Sequence, residues 1–449
     1  MTEQVNLREF LDERPVSPLQ KLVIFICLMI VIVDGIDISI MGFIAPVLKQ
    51  QWGVTTTELA PVMSAALVGL AIGAVVSGPL ADKFGRKKVL ITSLFGFGIF
   101  TLVAALATNV NELMIYRLIA GLFMGGVMPQ AVTLVTDYTP MRLNGRMVTI
   151  VLSGFTIGAA SGGFLAAWII PQFGWQAMMI FGGVAPLIIA VLAMIKLPES
   201  IGYKVLKNHP KEEINALIKR ISPNFDMTNK TMVIPKPIIN TVNNPVKTIL
   251  SPFYIIGSFL LWWIYASALF VVYLLGSWLP TMTHDFGFSL SEASMITAIY
   301  QLGGPIGSIA CGYLMDKFNP HLSLGFAYLL GMIFMIFIGE AGNNFVLYSL
   351  MCFFIGMWMN GANAGMNSLS SAFYPIYARA TGNSWMQGIG RLGAIASAFA
   401  GAYFLNLGWP ANKIFMVLSI PTMGIIASLL IIKTVYSPKR IEKRVLNNA

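Results

Sequence analysis

Charged residues are scarce in this sequence: Asp, Glu, Lys and Arg together make up 11% of its 449 residues. A water-soluble protein carries about 25%, and 56% of this chain is hydrophobic. This composition excludes a soluble fold and a nucleic-acid-binding protein, although the formal net charge is +10. We therefore predict an integral membrane protein surrounded by the lipid bilayer.

Residues typical of enzymes and metal sites are also few. The chain has three Cys and three His, and it contains no H-E-x-x-H, P-loop or G-x-S-x-G pattern. The sequence therefore predicts no catalytic residue, no metal site and no cofactor, and an enzyme is the least favoured class. Cys27, Cys311 and Cys352 lie in or at the end of apolar stretches, so we expect packing residues rather than disulfides.

Long apolar runs dominate what remains. Each crossing of a bilayer takes roughly 20 apolar residues, and continuous runs exclude a β-barrel, whose strands alternate polar and apolar residues. The sequence predicts an all-α integral membrane protein with twelve transmembrane helices in two pseudo-symmetric six-helix bundles. The predicted spans lie near 22–46, 58–81, 89–108, 111–136, 147–170, 176–196, 252–279, 289–312, 321–340, 345–370, 382–406 and 411–433. The domains are then an N-terminal bundle at 1–196, a cytoplasmic linker at 197–250 and a C-terminal bundle at 251–449.

Most of the 29 Lys and Arg residues fall on one side of this topology. The predicted outer loops hold only Lys49 and Lys413, whereas the linker and the loop at 83–88 are strongly basic. Because basic residues accumulate in cytoplasmic loops, we expect both termini and the linker in the cytoplasm.

The two halves repeat one another. Seven residues recur at a constant offset, and the matched sets are Gly69, Gly73, Gly78, Leu80, Asp82, Lys83, Phe84 and Gly303, Gly307, Gly312, Leu314, Asp316, Lys317, Phe318. A duplication in the same sense predicts two bundles that rock to give alternating access.

Ionisable side chains inside the spans are the candidates for chemistry, because each costs about 2.5–3.5 kcal/mol to insert. Asp34 and Asp37 lie about one turn apart in the first span. Two close carboxylates in a medium of low dielectric repel each other, which favours proton binding at one of them. Gly35, Gly42 and Pro46 are expected to loosen this helix. The alternative is that the two Asp residues only cap a broken helix or bond a neighbouring Ser.

Two Arg residues lie in other spans. Arg117 in the fourth span is a candidate counter-charge for the first span, either assisting proton transfer or forming a structural ion pair. Arg391 in the eleventh span is flanked by Gly388, Gly390 and Gly393, and its guanidinium suits a carboxylate bidentately.

Aromatic and amide side chains accompany Arg391 in the second half. Tyr300, Trp358 and Trp385 are candidate walls of a site for a flat ring, although such residues also serve as interfacial anchors. Asn360 and Asn363 lie on one face of the tenth span, with Asn367 beyond them, and either bind ring hydroxyls or hold helices together.

The segment G-P-L-A-D-K-F-G-R-K-K at 78–88 resembles a signature of the major facilitator superfamily. This resemblance implies a gating role for Gly78, Asp82, Gly85 and Arg86, in which the carboxylate pairs with a cation or a helix N-terminus when the bundles close. The second copy, with Asp316, is incomplete, because Asn319 follows Phe318 and no basic cluster comes after it.

D-G-I-D at 34–37 narrows the resemblance to the aromatic acid:proton symporters. Charged positions that match that pattern are Asp34, Asp37, Asp82, Arg86, Arg117, Arg379 and Arg391. The resemblance implies proton-driven import of a benzoate- or hydroxybenzoate-type acid across a bacterial cytoplasmic membrane by a monomer. Two alternatives stay open: a proton-coupled carrier of another organic anion, and a drug:proton antiporter, although the fifth span lacks the Pro of the antiporter signature.

Overall fold

Helices make up nearly all of the chain in a computed structural model that describes residues 3–223, 225, 230–233, 245–375 and 378–436. They are α1 (Leu7–Asp12), α2 (Pro18–Trp52), α3 (Thr56–Phe84), α4 (Arg86–Ala104), α5 (Val110–Met124), α6 (Val127–Tyr138), α7 (Met141–Lys196), α8 (Ile201–Leu206), α9 (Lys211–Ile221), α10 (Pro245–Ile249), α11 (Ile255–Asp285), α12 (Leu290–Lys317), α13 (Pro320–Phe337), α14 (Phe345–Phe373), α15 (Arg379–Asn406) and α16 (Ala411–Val435). A 3-10 turn follows α13 at Ile338–Ala341. Two short strands, β1 (Glu3–Asn6) and β2 (Lys230–Val233), pair in parallel.

Ten helical segments of the described chain are long and apolar enough to cross a membrane. One of them, α7, has 56 residues and contains two helices that meet at Gly174, where φ is +79°. The 28-residue α12 has the length of a span but is not among the ten. These features correspond in position to the expected spans, and the number twelve stays a prediction.

The fourth predicted span is interrupted. α5 ends at Met124 and α6 begins at Val127, with Gly125 and Gly126 between them. A Cβ atom at Gly125 would lie 2.4 Å from the carbonyl oxygen of Leu70, so α3 passes directly against this break. Gly125 therefore serves a close contact between α3 and the fourth predicted span.

The sequence repeat produces the same helix contact in each half. A Cβ atom at Gly73 of α3 would lie 1.9 Å from the Leu122 carbonyl oxygen in α5. A Cβ atom at Gly307 of α12 would lie 1.7 Å from the Met357 carbonyl oxygen in α14. Small residues let two membrane helices approach to backbone contact, so the repeated glycines determine which helices pair.

Two glycines of α2 also lie where neighbouring helices approach closely. A Cβ atom at Gly35 would lie 2.0 Å from the Phe155 carbonyl oxygen in α7, and one at Gly42 would lie 2.8 Å from the Ser277 carbonyl oxygen in α11. α2 continues unbroken through both glycines and through Pro46. Neighbouring helices occupy the space that a side chain would need at Gly35 and Gly42, and a looser helix at these residues stays a prediction.

Contacts divide the chain into two compact units. The first consists of Met1–Ile40, Ala65–Gly162 and Phe173–Ile239, and the second of Met41–Ser64, Gly163–Gln172 and Asn240–Ala449. These bounds cut through α2, α3 and α7. The predicted domain boundaries at 196/197 and 250/251 stay a prediction.

Part of the predicted linker packs into the first unit. α9 is amphipathic, with Glu212 and Glu213 in its first turn and Lys219 and Arg220 in its last. Its apolar face joins the hydrophobic core of that unit through Ile214, Leu217, Ile218 and Ile221. The segments 226–229 and 234–244 of the linker, like the basic residues after Tyr436, lie outside the described residues.

Candidate functional site

A buried ion pair joins α2 to α5 inside the first unit. Nη1 of Arg117 donates to Oδ1 of Asp37 at 2.9 Å, and neither side chain has exposed surface. Nη2 of Arg117 lies 3.4 Å from the carbonyl oxygen of Asp37, and the hydroxyl of Thr101 in α4 donates to the same Oδ1 at 3.1 Å. Three helices therefore converge on one carboxylate oxygen.

Close packing of α7 against α2 holds this carboxylate in place. A Cβ atom at Gly158 would lie 1.9 Å from the Ile32 carbonyl oxygen, so the helices touch through their backbones two residues before Asp34. A Cβ atom at Gly182 would lie 2.3 Å from Ile40 and 3.8 Å from Oδ1 of Asp37. A side chain at either position would therefore push α7 away from α2 beside Asp37.

The pair keeps unused hydrogen-bonding capacity. Oδ2 of Asp37 and Nε of Arg117 are buried without a hydrogen-bond partner among the described residues. Asp34, one turn earlier on α2, is also buried. A hydrogen bond to either of the two unpartnered atoms would remove a cost of about 1–3 kcal/mol.

Arg391 of α15 is the corresponding cation of the second unit. Its side chain is half-buried, and its Nη1 atom is buried without a hydrogen-bond partner among the described residues. Tyr265 of α11 packs against the helix beside it, because a Cβ atom at Gly390 would lie 2.3 Å from the tyrosine ring. The Tyr265 hydroxyl lies close to the Asn367 amide and to the positive charge of Arg391.

The second unit also contains amide groups on α14 and a phenol group on α12. Asn360 is buried and Asn363 half-buried, and each has a buried polar atom without a partner within the described chain. Tyr300 of α12 is buried, and its hydroxyl lies beside the side chain of Asn360. These amide and phenol groups can donate and accept hydrogen bonds.

The predicted aromatic residues do not all lie at one place. Trp385 of α15 stacks on Trp262 of α11, with ring centroids 5.5 Å apart and an interplanar angle of 25°. Trp385 is 40% exposed, so one face of this stack is open. Trp358 instead packs edge-on against Phe326 of α13, about 200° around α14 from Asn360. The structure thus separates Trp358 from the polar face of its helix.

The loop between α3 and α4 contains the predicted gating residues. Asp82 pairs with Arg86, its own neighbour one turn on, at 2.9 Å, and the Asp82 side chain is 75% exposed. Gly85 has φ +103° and precedes α4. The expected partner for Asp82 was a cation or a helix N-terminus, and within the first unit that partner is Arg86.

Glu199, which follows α7, also bonds to this loop, and the sequence did not predict a role for it. Its Oε1 atom accepts from the backbone N–H groups of Arg86 at 2.9 Å and Lys87 at 3.1 Å, the first residues of α4. An anion at a helix N-terminus is favoured by the helix dipole. The available signal was an acidic residue beside the basic segments of the inner loops. Thr101, the other missed residue, carried no signal beyond a hydroxyl in an apolar span.

The remaining gating candidates have few contacts. Asp316 and Arg379 are exposed, and neither forms an ion pair within the described part of the chain. A Cβ atom at Gly78 would meet nothing within 4 Å. Their gating roles stay predictions.

The sequence pattern of the Major Facilitator Superfamily matches residues 27–281 and 261–447. The chain belongs to the Major Facilitator Superfamily. Members of this superfamily are membrane transporters, so the predictions of a multi-pass membrane protein with the major facilitator fold, and of a transporter rather than an enzyme, are confirmed.

Relatives within the superfamily cover almost the full chain. The 4-hydroxybenzoate transporter of Pseudomonas aeruginosa is 42% identical over 96% of this chain and 96% of its own length. The gallate transporter of Pseudomonas putida is 37% identical, covering 94% and 93%. The benzoate transport protein of Acinetobacter baylyi is 30% identical, covering 98% and 96%. The resemblance to aromatic acid carriers of the superfamily is confirmed.

A solved structure supports the major facilitator fold independently. The crystal structure of a D-xylose-proton symporter matches with a TM-score of 0.70, covering 91% of this chain and 96% of that chain. Its sequence identity is 15%, so the match concerns the fold alone.

Proposed function

We propose that this protein imports an aromatic carboxylic acid of the benzoate or hydroxybenzoate type together with protons, by alternating access. The observation that carries the proposal is the fully buried ion pair between Asp37 and Arg117. The transported acids in the names of the relatives support the substrate class. The site in the first unit supports the coupling to protons.

Proton coupling follows from the cost of separating the buried pair. When Asp37 binds a proton, its attraction for Arg117 is lost and a guanidinium is left without a counter-charge. Breaking a buried pair in this way costs about 3–5 kcal/mol. The protonated protein therefore favours an arrangement in which Arg117 finds another acceptor, so that protonation biases the conformational equilibrium. Asp34 is the carboxylate nearest in sequence for that exchange.

Substrate binding is assigned to the second unit. The substrate carboxylate pairs with Arg391, whose Nη1 atom is buried without a partner in the described chain. The aromatic ring packs against the open face of Trp385. Amide and phenol groups from Asn360, Asn363 and Tyr300 contribute further polar contacts, and Trp358 has only an indirect role, because it faces Phe326.

The energetics favour coupling over uniport of an anion. A membrane potential that is negative inside opposes entry of a monoanion by about 2.3 kcal/mol per 100 mV. One proton carried with the anion cancels this term, and each unit of pH difference then contributes about 1.4 kcal/mol. A second proton would add the potential as a driving force.

The location follows from the same proposal. We place the protein in the bacterial cytoplasmic membrane, with both termini in the cytoplasm, because basic residues concentrate in the predicted inner loops. The transport unit is one chain, since each of the two proposed sites is assembled from residues of this chain.

The test is uptake by purified protein in liposomes with an alkaline interior. Labelled 4-hydroxybenzoate and benzoate are compared with succinate as an aliphatic control. We expect uphill accumulation of the aromatic acids, loss of accumulation in Asp37→Asn, and loss of binding in Arg391→Ala. Glu340→Gln is the matched control, because Glu340 is exposed on the 3-10 turn after α13. Equal uptake without the pH gradient would refute proton coupling. Preferential uptake of succinate, or proton-driven efflux of hydrophobic cations, would refute the substrate.

A further inference from the structure

We propose that Thr101 of α4 positions Asp37 for proton transfer, by bonding its Oδ1 atom so that the proton binds at Oδ2. The inference rests on the proposed function, because it takes Asp37 to be the residue that exchanges protons. Thr101 is a positioning residue, since it acts on the proton only through Asp37. It adds a neutral side chain of α4 to a proton site whose other members, Asp34 and Arg117, carry charged groups.

The two oxygen atoms of the Asp37 carboxylate have different surroundings. Oδ1 accepts from Nη1 of Arg117 at 2.9 Å and from the Thr101 hydroxyl at 3.1 Å. Oδ2 is buried and has no hydrogen-bond partner among the residues that the structure describes. A carboxylate oxygen has two lone-pair sites, and the two donors take both sites of Oδ1. The proton therefore adds to Oδ2.

The Thr101 hydroxyl bonds to another helix rather than to its own. Threonine hydroxyls inside helices can donate to a carbonyl one turn back, as those of Thr297 in α12 and Thr422 in α16 do. Thr101 is as deeply buried as these two residues, yet its hydroxyl donates across to α2. The hydroxyl is thus oriented by the Asp37 carboxylate and not by the backbone of α4.

The helices α4 and α7 pack closely beside Thr101. A Cβ atom at Gly98 would lie 2.8 Å from the Gly183 carbonyl oxygen, and one at Gly183 would lie 2.8 Å from the Gly98 carbonyl oxygen. The two backbones are therefore in contact three residues before Thr101. The Thr101 methyl group lies 3.6 Å from the Cβ position of Gly182, and a β-branched side chain is restricted at χ1. Thr101 therefore presents its donor to Asp37 from a restricted position.

The bond from Thr101 suits both charge states of Asp37. With a proton on Oδ2, Oδ1 becomes a carbonyl oxygen, which still accepts from a hydroxyl. The bond from Arg117 weakens, because a neutral carboxyl group no longer provides a counter-charge. The O–H bond at Oδ2 is the only covalent bond that forms or breaks, and its proton comes from water on one side of the membrane and returns to water on the other. Thr101 therefore keeps the carboxyl group oriented while Arg117 changes partner.

Uptake by liposomes tests this role. Thr101→Val removes the hydroxyl and keeps a β-branched side chain, whereas Thr101→Ser keeps the hydroxyl. We expect Thr101→Val to lower the maximal rate of proton-driven 4-hydroxybenzoate uptake by roughly 3- to 10-fold, the effect of one hydrogen bond, with KM unchanged. Thr101→Ser should keep the wild-type rate. Thr422→Val is the matched control, because its hydroxyl donates to Leu418 of its own helix, and its rate should equal that of wild type.

Counterflow separates a positioning role from a structural one. Exchange of labelled for unlabelled substrate needs no net release of the proton, so it should proceed at the wild-type rate in Thr101→Val. Rates are expressed per binding site, counted by equilibrium binding after the liposomes are solubilised, so that poor insertion does not affect the comparison. Equal losses of uptake and counterflow would overturn the proposal, and so would a Thr101→Ser protein as slow as Thr101→Val.

Infrared spectra test the hydrogen bond itself. The protonated Asp37 carboxyl group gives a C=O stretching band, assigned by its loss in Asp37→Asn. A hydrogen bond to a carbonyl oxygen lowers its stretching frequency, so this band should lie at higher frequency in Thr101→Val and near the wild-type frequency in Thr101→Ser. An unchanged band in Thr101→Val would show that Thr101 does not bond Oδ1 of the protonated group, which overturns the proposal.

The outcomes distinguish this proposal from the proposed function. Uphill accumulation of 4-hydroxybenzoate by wild type, with the same rate in Thr101→Val, would overturn the role of Thr101 while the proposed function stands. Failure of wild type to accumulate any aromatic acid would refute the proposed function and the role of Thr101 with it. Absence of the Asp37 carboxyl band from wild type at acidic pH would refute proton binding at Asp37, on which both proposals depend.

Discussion

Arg117 and Asp37 form an ion pair, 2.9 Å between Nη1 and Oδ1, in which both side chains are completely buried. Truncation of either residue leaves the other as an uncompensated charge. We expect Asp37→Ala to lower the free energy of unfolding by about 3–5 kcal/mol, seen as a lower thermal midpoint in detergent. The double variant Asp37→Ala/Arg117→Leu should regain most of this loss but no uphill transport. A double variant as unstable as the single one would contradict the pairing.

Glu199 is expected to stabilise the inner end of α4. Glu199→Ala removes the acceptor for the N–H groups of Arg86 and Lys87 and should cost about 1–2 kcal/mol. Glu199→Gln keeps an oxygen acceptor but loses the charge, so its cost should be smaller. Thermal midpoints of the two variants check the order, and equal midpoints for Ala and Gln would show that the carboxylate does not act as a cap.

Two glycines of the predicted gating motif should behave in opposite ways. Gly85→Ala is expected to destabilise the loop, because φ is +103° and the new Cβ atom would lie 2.3 Å from Oε2 of Glu199. Gly78→Ala meets no atom within 4 Å and should stabilise α3 by up to about 1 kcal/mol. Thermal midpoints and uptake rates are measured together. Loss of transport in a stable Gly78→Ala protein would support its gating role, and wild-type transport would exclude it.

Lys49 and Asp285, at the ends of α2 and α11, form an ion pair at 2.8 Å inside the second unit. Both side chains are more than one-third exposed, so the pair should contribute less than about 1 kcal/mol to stability. Its expected effect is on transport, because Lys49→Asp places like charges at the contact between the ends of α2 and α11. We expect a several-fold lower uptake rate, with recovery in Lys49→Asp/Asp285→Lys. Absence of recovery would show that the charge pairing is not what matters there.

Trp385 is expected to contribute to substrate affinity rather than to turnover. Trp385→Leu removes the open face of the stack with Trp262 and should raise KM for both benzoate and 4-hydroxybenzoate by a similar factor. An aromatic contact contributes about 0.5–1.5 kcal/mol beyond burial, which corresponds to about 2- to 13-fold. A change confined to the maximal rate would place Trp385 outside the binding site.

Composition and local pattern were sufficient for the class of fold, for the repeat and for the ionisable residues of the spans. Apolar runs of membrane length leave helices as the only solution, because each backbone polar group needs a partner within lipid. The same cost makes Asp37, Arg117 and Arg391 conspicuous in an apolar sequence.

The sequence did not predict which of these side chains contact one another. Asp34 and Asp37 share a helix face, yet Arg117 of α5 bonds Asp37. Glu199 caps α4 although more than one hundred residues separate them, and Trp358 turns away from Asn360. Such contacts depend on the rotation and axial offset of one helix against another. Packing of the assembled helices sets both quantities, and the periodicity of a single helix contains neither.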